Sequence, residues 1–278
     1  MKTLIFLNRL FCPVKLLLLL LACGLISVSQ AADSTYYFRT YMIHTTGAFG
    51  QGGTIAVFKN STLVSQKTFE SGFESLSIID FNNDNSPKIV ARLYSGGAHC
   101  CFSIAIMDII NDTLSLICTK DLMNSDFQIK DLDKDGRQEI VTYDDRFAYE
   151  FTSFADSRFY IAIYHFENNQ LIPQNKLFRD FVLKDVEQLK IEFEKLMQDG
   201  YAADKGEKAS TSNHLPQAQA ILSAITGNYY SLGDDRKGFA LIDRMYIGGD
   251  KEQFTAYLKM KLSSNNSLPY SEFLKLNK

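Results

Sequence analysis

The strongest chemical signal in the sequence is the run Asp131-Leu132-Asp133-Lys134-Asp135-Gly136-Arg137-Gln138-Glu139. Its three aspartates alternate, so a tightly curled loop turns all three carboxylates inward. Gly136 permits the left-handed backbone that such a curl needs. Ca²⁺ takes about six to eight hard oxygen ligands at roughly 2.3–2.6 Å. Asp131, Asp133, Asp135, the Arg137 carbonyl and Glu139 approach that number, with water completing it. Crowding four carboxylates without a cation costs repulsion, because like charges within about 4–6 Å disfavour each other's ionised form. A plain solvated turn has no need of that crowding, so Ca²⁺ is the expected cofactor. The loop is not an EF-hand. The twelfth position, where an EF-hand places a bidentate Glu, is Thr142. The flanks Phe127-Gln128-Ile129 and Ile140-Val141-Thr142-Tyr143 are β-type rather than helical.

Two other segments could do chemistry. The run from Asp80 to Lys88 offers Asp80, Asn82 and Asp84 in a similar pattern, but Lys88 stands where the last carboxylate should be. A weak or metal-free loop is expected there, with the Lys88 ammonium partly replacing the ion beside Asp80 and Asp84. The segment Ser95-Gly96-Gly97-Ala98-His99-Cys100-Cys101 has two readings. Thiolate and imidazole suit a soft metal or a redox centre, yet no CxxC or HxxxH spacing supplies further ligands. The preferred reading is a glycine-built turn fixed by a disulfide. Either one of Cys100 and Cys101 reaches Cys118, or the two bond to each other. His44, His165 and His214 are scattered and read as structural, and Asp144-Asp145 reads as a solvated turn. The sequence contains no nucleophile-elbow, Walker A, dinucleotide-binding or H-E-x-x-H pattern.

The elements that position these loops read as strand after strand from about residue 35 to 178. Ile55-Ala56-Val57-Phe58 followed by Asn60-Ser61 reappears as Ile104-Ala105-Ile106-Met107 with Asn111-Asp112. It recurs as Ile161-Ala162-Ile163-Tyr164 with Asn168-Asn169. The acidic loops recur at nearly the same period. A period of this size suits propeller blades or β arrays, and about two and a half units are counted. A D-x-D-x-D-G-x-x-E loop between strands resembles the FG-GAP or VCBS-type repeats of integrin-like propellers, over roughly residues 55–178. The resemblance implies that the loop binds Ca²⁺ and ties neighbouring strands together. The Gly-Gly-Ala-His-Cys-Cys segment resembles one found in small exported proteins of uncharacterised function that carry such repeats.

From Arg179 onward Phe181, Val186, Leu189, Phe193 and Leu196 recur at helical steps, and shorter helices fit 216–230, 234–246, 250–262 and 269–276. The expected fold is therefore β + α: partial propeller-like repeats over 33–178, then a small helical part over 179–278. Residues 1–31 read as a secretory signal: Lys2, Arg9 and Lys15, an apolar run over Leu16–Ile26, and Ser29-Gln30-Ala31 as the exit. A minority reading takes Leu20-Leu21-Ala22-Cys23 as a lipobox that anchors the chain at Cys23. The formal charge is −3, and the three basic leader residues leave −6 without it, which argues against nucleic acid. No transmembrane segment is expected once the signal is removed. The expected function is a periplasmic or secreted binding or structural module, stabilised by Ca²⁺, whose partner is a protein or glycan of the cell envelope. The alternative is a hydrolase or redox enzyme using His99 and Cys101.

Overall fold

The computed structural model describes residues 33–47, 52–70, 72–97, 100–200, 214–264 and 268–276. Its strands form three antiparallel four-stranded sheets, each a meander of consecutive strands. The first holds β1 (Ser34–Phe38), β2 (Tyr41–Gly47), β3 (Gly53–Lys59) and β4 (Thr62–Phe69). The second holds β5 (Gly72–Ile79), β6 (Lys88–Tyr94), β7 (Phe102–Ile110) and β8 (Thr113–Met123). The third holds β9 (Gln128–Lys130), β10 (Glu139–Asp144), β11 (Tyr160–Glu167) and β12 (Gln170–Pro173). The chain is thus β-rich with helices at its C-terminal end, and the described residues close no propeller ring.

The turn between the third and fourth strand of each sheet explains the regularity. Asn60-Ser61, Asn111-Asp112 and Asn168-Asn169 all have positive φ, between 50° and 64°. Two consecutive left-handed residues make the hairpin turn whose twist matches that of the strands, and Asn and Asp tolerate this conformation. These turns set the unit as four complete strands. The expected two and a half units become three because the first sheet joins β1 to β2 by a tight turn at Arg39, with φ 55°, and not by an acidic loop. Its first half therefore lacked the repeat's marker.

The sheets stack face to face. Ile43, Ile55 and Val57 of the first meet Leu76, Ile89, Ala91 and Met107 of the second. Val90, Ile104 and Ile106 point the opposite way and meet Ile140 and Phe166 of the third. Alternate residues of a strand point to opposite faces, and a strand buried on both faces reads as an unbroken apolar run. Ile89-Val90-Ala91 in β6 is such a run.

The far face of the third sheet is covered by helix. α1 (Arg179–Gln198) and α2 (His214–Ser231) lie nearest, followed by α3 (Asp235–Met245), α4 (Lys251–Ser263) and α5 (Tyr270–Leu276). Ile161 and Ile163 pack against Phe178, Val182 and Leu232. In α1 the buried stripe is Val182, Val186, Leu189, Phe193 and Leu196; Phe181, expected in that stripe, is half-buried beside it. Phe147 and Tyr160 share the large aromatic core of the helices. None of the described helices is long and apolar enough to cross a membrane.

Two side-chain devices hold the helices to the sheet. β12 ends at Pro173 and leaves the start of β11 without a strand partner on that side. Asn175 Oδ1 accepts from the Ile163 N–H at 2.9 Å, and its Nδ2 donates to the Ile161 carbonyl at 2.7 Å. Asn228 Oδ1, from α2, accepts from the Ile161 N–H at 3.0 Å. Two amide side chains therefore finish the ladder where the strand stops, as buried backbone groups require. Elsewhere the Arg146 guanidinium donates to Asp144 through Nε at 2.9 Å and Nη2 at 2.7 Å. Its Nη1 donates to the Lys261 carbonyl at 3.0 Å, satisfying an orphan acceptor at the end of α4.

Replacing Asn175 by Ala strands the Ile163 N–H and the Ile161 carbonyl, at about 1–3 kcal/mol for each buried unpaired group. A loss of about 2–4 kcal/mol in urea unfolding is expected. Burial alone would push the Asp144 carboxyl up, but the Arg146 hydrogen bonds and charge outweigh it and hold the carboxyl below its usual range. A depressed carboxyl stabilises the fold fully above its unfolded value, about 3.9, and loses that contribution as pH falls through the folded value. Arg146→Gln should lower the urea midpoint at pH 7, with a smaller deficit at about pH 2–3.

Candidate metal centre

The 131–139 loop joins β9 to β10, and its curl is made by its own aspartates. Asp131 accepts the Lys134 N–H at 2.7 Å and the Gly136 N–H at 2.9 Å. Asp133 accepts the Asp135 N–H at 3.3 Å, and Asp135 accepts the Arg137 N–H at 2.8 Å. Lys134 and Gly136 take positive φ, 66° and 91°. A Cβ on Gly136 would stand 2.5 Å from Asn83 Nδ2, so the glycine serves close approach as well as conformation.

Oxygens of Asp131, Asp133 and Glu139 converge to within 4.8 Å of one another. Asp135 does not join this trio. Its Oδ1 accepts the Arg137 N–H, as Asp133 Oδ1 accepts the Asp135 N–H, and its charge acts on Glu139. Glu139, the first residue of β10, is 1% exposed. Burial pushes its carboxyl up, against the Leu132 N–H at 2.8 Å and the nearby His165, while Asp133 and Asp135 push it further up. A buried carboxylate beside two others is a donor set of hard oxygens, and it fits a hard cation such as Ca²⁺ better than a soft one.

Sequence reasoning missed the residues behind Glu139. His165 Nε2 lies 3.1 Å from Glu139 Oε1, but without the angle of a hydrogen bond. Its Nδ1 lies 3.3 Å from Glu167 Oε1. The Arg137 guanidinium donates to that same oxygen at 2.8 Å and to Asn82 Oδ1 at 3.4 Å. Through the Arg137 and His165 contacts the Glu167 carboxyl is held below its usual range. The one sequence signal for this network is the spacing of His165 and Glu167, two apart on β11 and so on one face.

The 80–88 loop repeats the backbone of its neighbour with different chemistry. Asp80 accepts the Asp84 N–H at 3.3 Å and the Asn85 N–H at 2.8 Å, and Asn83 and Asn85 have positive φ. The expectation that Lys88 sits beside Asp80 and Asp84 is corrected. Its ammonium bonds Asp108 at 3.1 Å and Ser86 at 3.1 and 3.3 Å. Lys88 and Glu139 each stand eight residues after the first loop aspartate. Asp108 and His165 are likewise at matching places on the third strand. One structural position thus carries Lys–Asp in the second sheet and Glu–His in the third. Asn82, offered as a weak ligand, accepts from Arg137 instead. The two loops also touch through the Gln138 N–H, which donates to the Phe81 carbonyl at 2.9 Å. Among the described residues no second group of three His, Cys or acidic ligands is brought together.

The disulfide joins Cys100 to Cys101, and Cys118 is a free thiol. The expected reach to Cys118 is corrected by the β7–β8 register. Cys118 opposes Ile106, while Phe102, next to Cys101, opposes Met123. Four residues of strand separate them, roughly 13 Å. Ser95 completes the turn: its Oγ donates to the Cys100 carbonyl at 2.7 Å and accepts the Cys101 N–H at 2.6 Å. The Cys101 thiol that an enzymatic reading needs is therefore bonded, and His99 lies outside the described residues, as do the leader and Cys23.

The fold and site define a class: three stacked antiparallel sheets with C-terminal helices and a carboxylate loop at one strand junction. No family model matches the sequence, and no solved structure matches it. A probable thylakoid lumen protein of Synechocystis is 29% identical over 131 residues, 41% of this chain and 35% of that protein. An uncharacterized protein of Sinorhizobium fredii is 26% identical over 102 residues, 36% of this chain and 16% of that protein. The chain therefore matches only a minor part of the length of each relative.

Gly136→Ala should cost about 1–3 kcal/mol in denaturant unfolding, from the strained φ and the Asn83 contact together.

Proposed function

We propose that this protein is an exported, non-enzymatic binding or structural module in which the 131–139 loop holds Ca²⁺, as the resemblance to FG-GAP or VCBS-type repeats implies. The observation that carries the reading is the convergence of Asp131, Asp133 and the buried Glu139 within 4.8 Å. Bound there, Ca²⁺ supplies the positive charge that three crowded carboxylates otherwise lack. The Arg137 carbonyl and water complete the shell. Asp131 holds the curl, Asp133 offers the solvent-side oxygen, and Glu139 ties the loop to β10 and, through His165, to β11. Three carboxylates are few for Ca²⁺, so the affinity belongs to the range of extracellular modules, a Kd of roughly 10⁻⁴–10⁻³ M. Such an affinity suits an exported protein, and the basic, apolar, small-residue order of residues 1–31 together with the lumenal name of one relative supports export. The stacked four-stranded units support a partial propeller-like array, and the partner is a protein or glycan of the cell envelope.

Ca²⁺ at ten times its Kd should stabilise the fold by about 1.4 kcal/mol, a rise in Tm of about 3–5 °C that EDTA reverses. Asp133→Asn, at an exposed position, should remove the rise while leaving the metal-free Tm near its original value. Scanning calorimetry with and without Ca²⁺ checks this. No heat of binding and no shift at 10 mM Ca²⁺ would sink the metal reading.

A further inference from the structure

We propose that the uncovered half of the third sheet is a binding site for a neutral saccharide; the inference rests on the binding-module reading and is independent of the metal loop. α1 packs chiefly on β11 and reaches β10 at Val141, leaving Tyr143 of β10 partly open. The register places Gln128, Val141, Tyr143 and Ile161 on the same face. Over that face lies a groove of about 540 Å³, walled by Phe181 of α1, by Phe159, and by the 124–127 segment. Ligand sites of small molecules run from roughly 300 to 1,000 Å³.

The lining names the chemistry. Tyr143 is 45% exposed on the groove floor, more than any other residue of β10, and Phe159 and Phe181 are half-buried. Three partly exposed aromatic side chains on one concavity suit a flat ligand with an apolar side. Asp126 and Lys130 are the two charged residues of the lining. Asp126 is paired with Arg92, and the positive Lys130 is offset by Asp185 of α1, whose charge acts on the Tyr143 hydroxyl, so the groove carries no net charge to select an ion. Ser125 lines the same wall. It is 6% exposed, and its Oγ has no hydrogen-bond partner, a state that costs about as much as a lost hydrogen bond. That hydroxyl is a donor and acceptor left for an oxygen of a ligand in the groove. Apolar ring faces, a spare hydroxyl and side-chain amides without net charge match a sugar ring, whose C–H face is apolar and whose rim is hydroxyl. A charged ligand finds no net counter-charge here, because Lys130 and Asp185 oppose each other. An extended peptide would use the free edge of β9, but that strand is three residues long.

The test uses the full chain and a fixed panel: cellobiose, maltose, diacetylchitobiose, a diuronide, and a nine-residue Val/Ser peptide. Saturation-transfer NMR and titration calorimetry are run on the original chain, Tyr143→Ala and Ser125→Ala. At least one neutral disaccharide should bind with transfer to its ring C–H protons. Tyr143→Ala should weaken it by about ten-fold or more, with Tm unchanged. Ser125→Ala should weaken it by about three-fold while Tm holds or rises, an outcome a merely structural serine would not give. The proposal is overturned if no neutral disaccharide binds, if binding ignores Tyr143→Ala, or if only the diuronide or the peptide binds. Calcium titration on the same samples separates the two readings. Sugar binding lost with Ca²⁺ binding intact removes the groove alone, and the reverse removes the metal loop alone.

Discussion

A sheet whose two faces are both apolar must cover both, and this constraint organises the molecule. The first and second sheets cover each other, as do the second and third, and the chain then ends its repeats with one face still bare. α1 and α2 close that face through Phe178, Val182 and Leu232 against Ile161 and Ile163. The helices stand where the stacking direction would place another sheet. A twenty-residue helix is narrower than a four-stranded sheet, so it covers β11 and leaves β9 and β10 partly open. The groove over Tyr143 follows from that mismatch in width. The amides at β11 answer a different shortfall: β12 stops at Pro173, so Asn175 and Asn228 supply the partners that a longer edge strand would have given.

The two acidic loops separate backbone from chemistry. Both curl through an initial aspartate that collects N–H donors, and both place left-handed residues at matching steps. One ends in Lys88 and the other in Glu139. A lysine there forms its own ion pair with Asp108, which also takes Arg39 at 3.0 Å, and the position carries no spare negative charge. A glutamate there adds a third acidic oxygen to the loop and draws a histidine behind it. Burial makes that choice matter, because a carboxylate at 1% exposure is desolvated and sensitive to every neighbouring charge.

Contact between the loops makes the junction a unit. Arg137 reaches Asn82 in the neighbouring loop and Glu167 on β11, and Glu167 in turn meets His165 behind Glu139. With the Gln138 to Phe81 hydrogen bond and the Phe81–Phe166 ring contact at 5.2 Å, it ties the second sheet to the third. Charge at Glu139 is thereby connected to the packing between sheets.

Much of this was legible in the chain because it is local. The Asn-led turns fix hairpins through φ preferences of single residues, the acidic loop is written in nine consecutive positions, and the helices follow from apolar spacing of three to five. The count of units failed at β1–β2, where a tight turn at Arg39 carries none of the repeat's chemistry. What the sequence left open was decided by proximity between residues far apart in the chain. The β7–β8 register set Cys118 away from Cys100 and Cys101, so the disulfide became a local one. Burial of Glu139, the approach of His165, the pairing of Lys88 with Asp108, and the aromatic groove all depend on how whole sheets and a helix stack. Side-chain direction along a strand is encoded every two residues, but the neighbour it meets is supplied by another element, and only packing determines which.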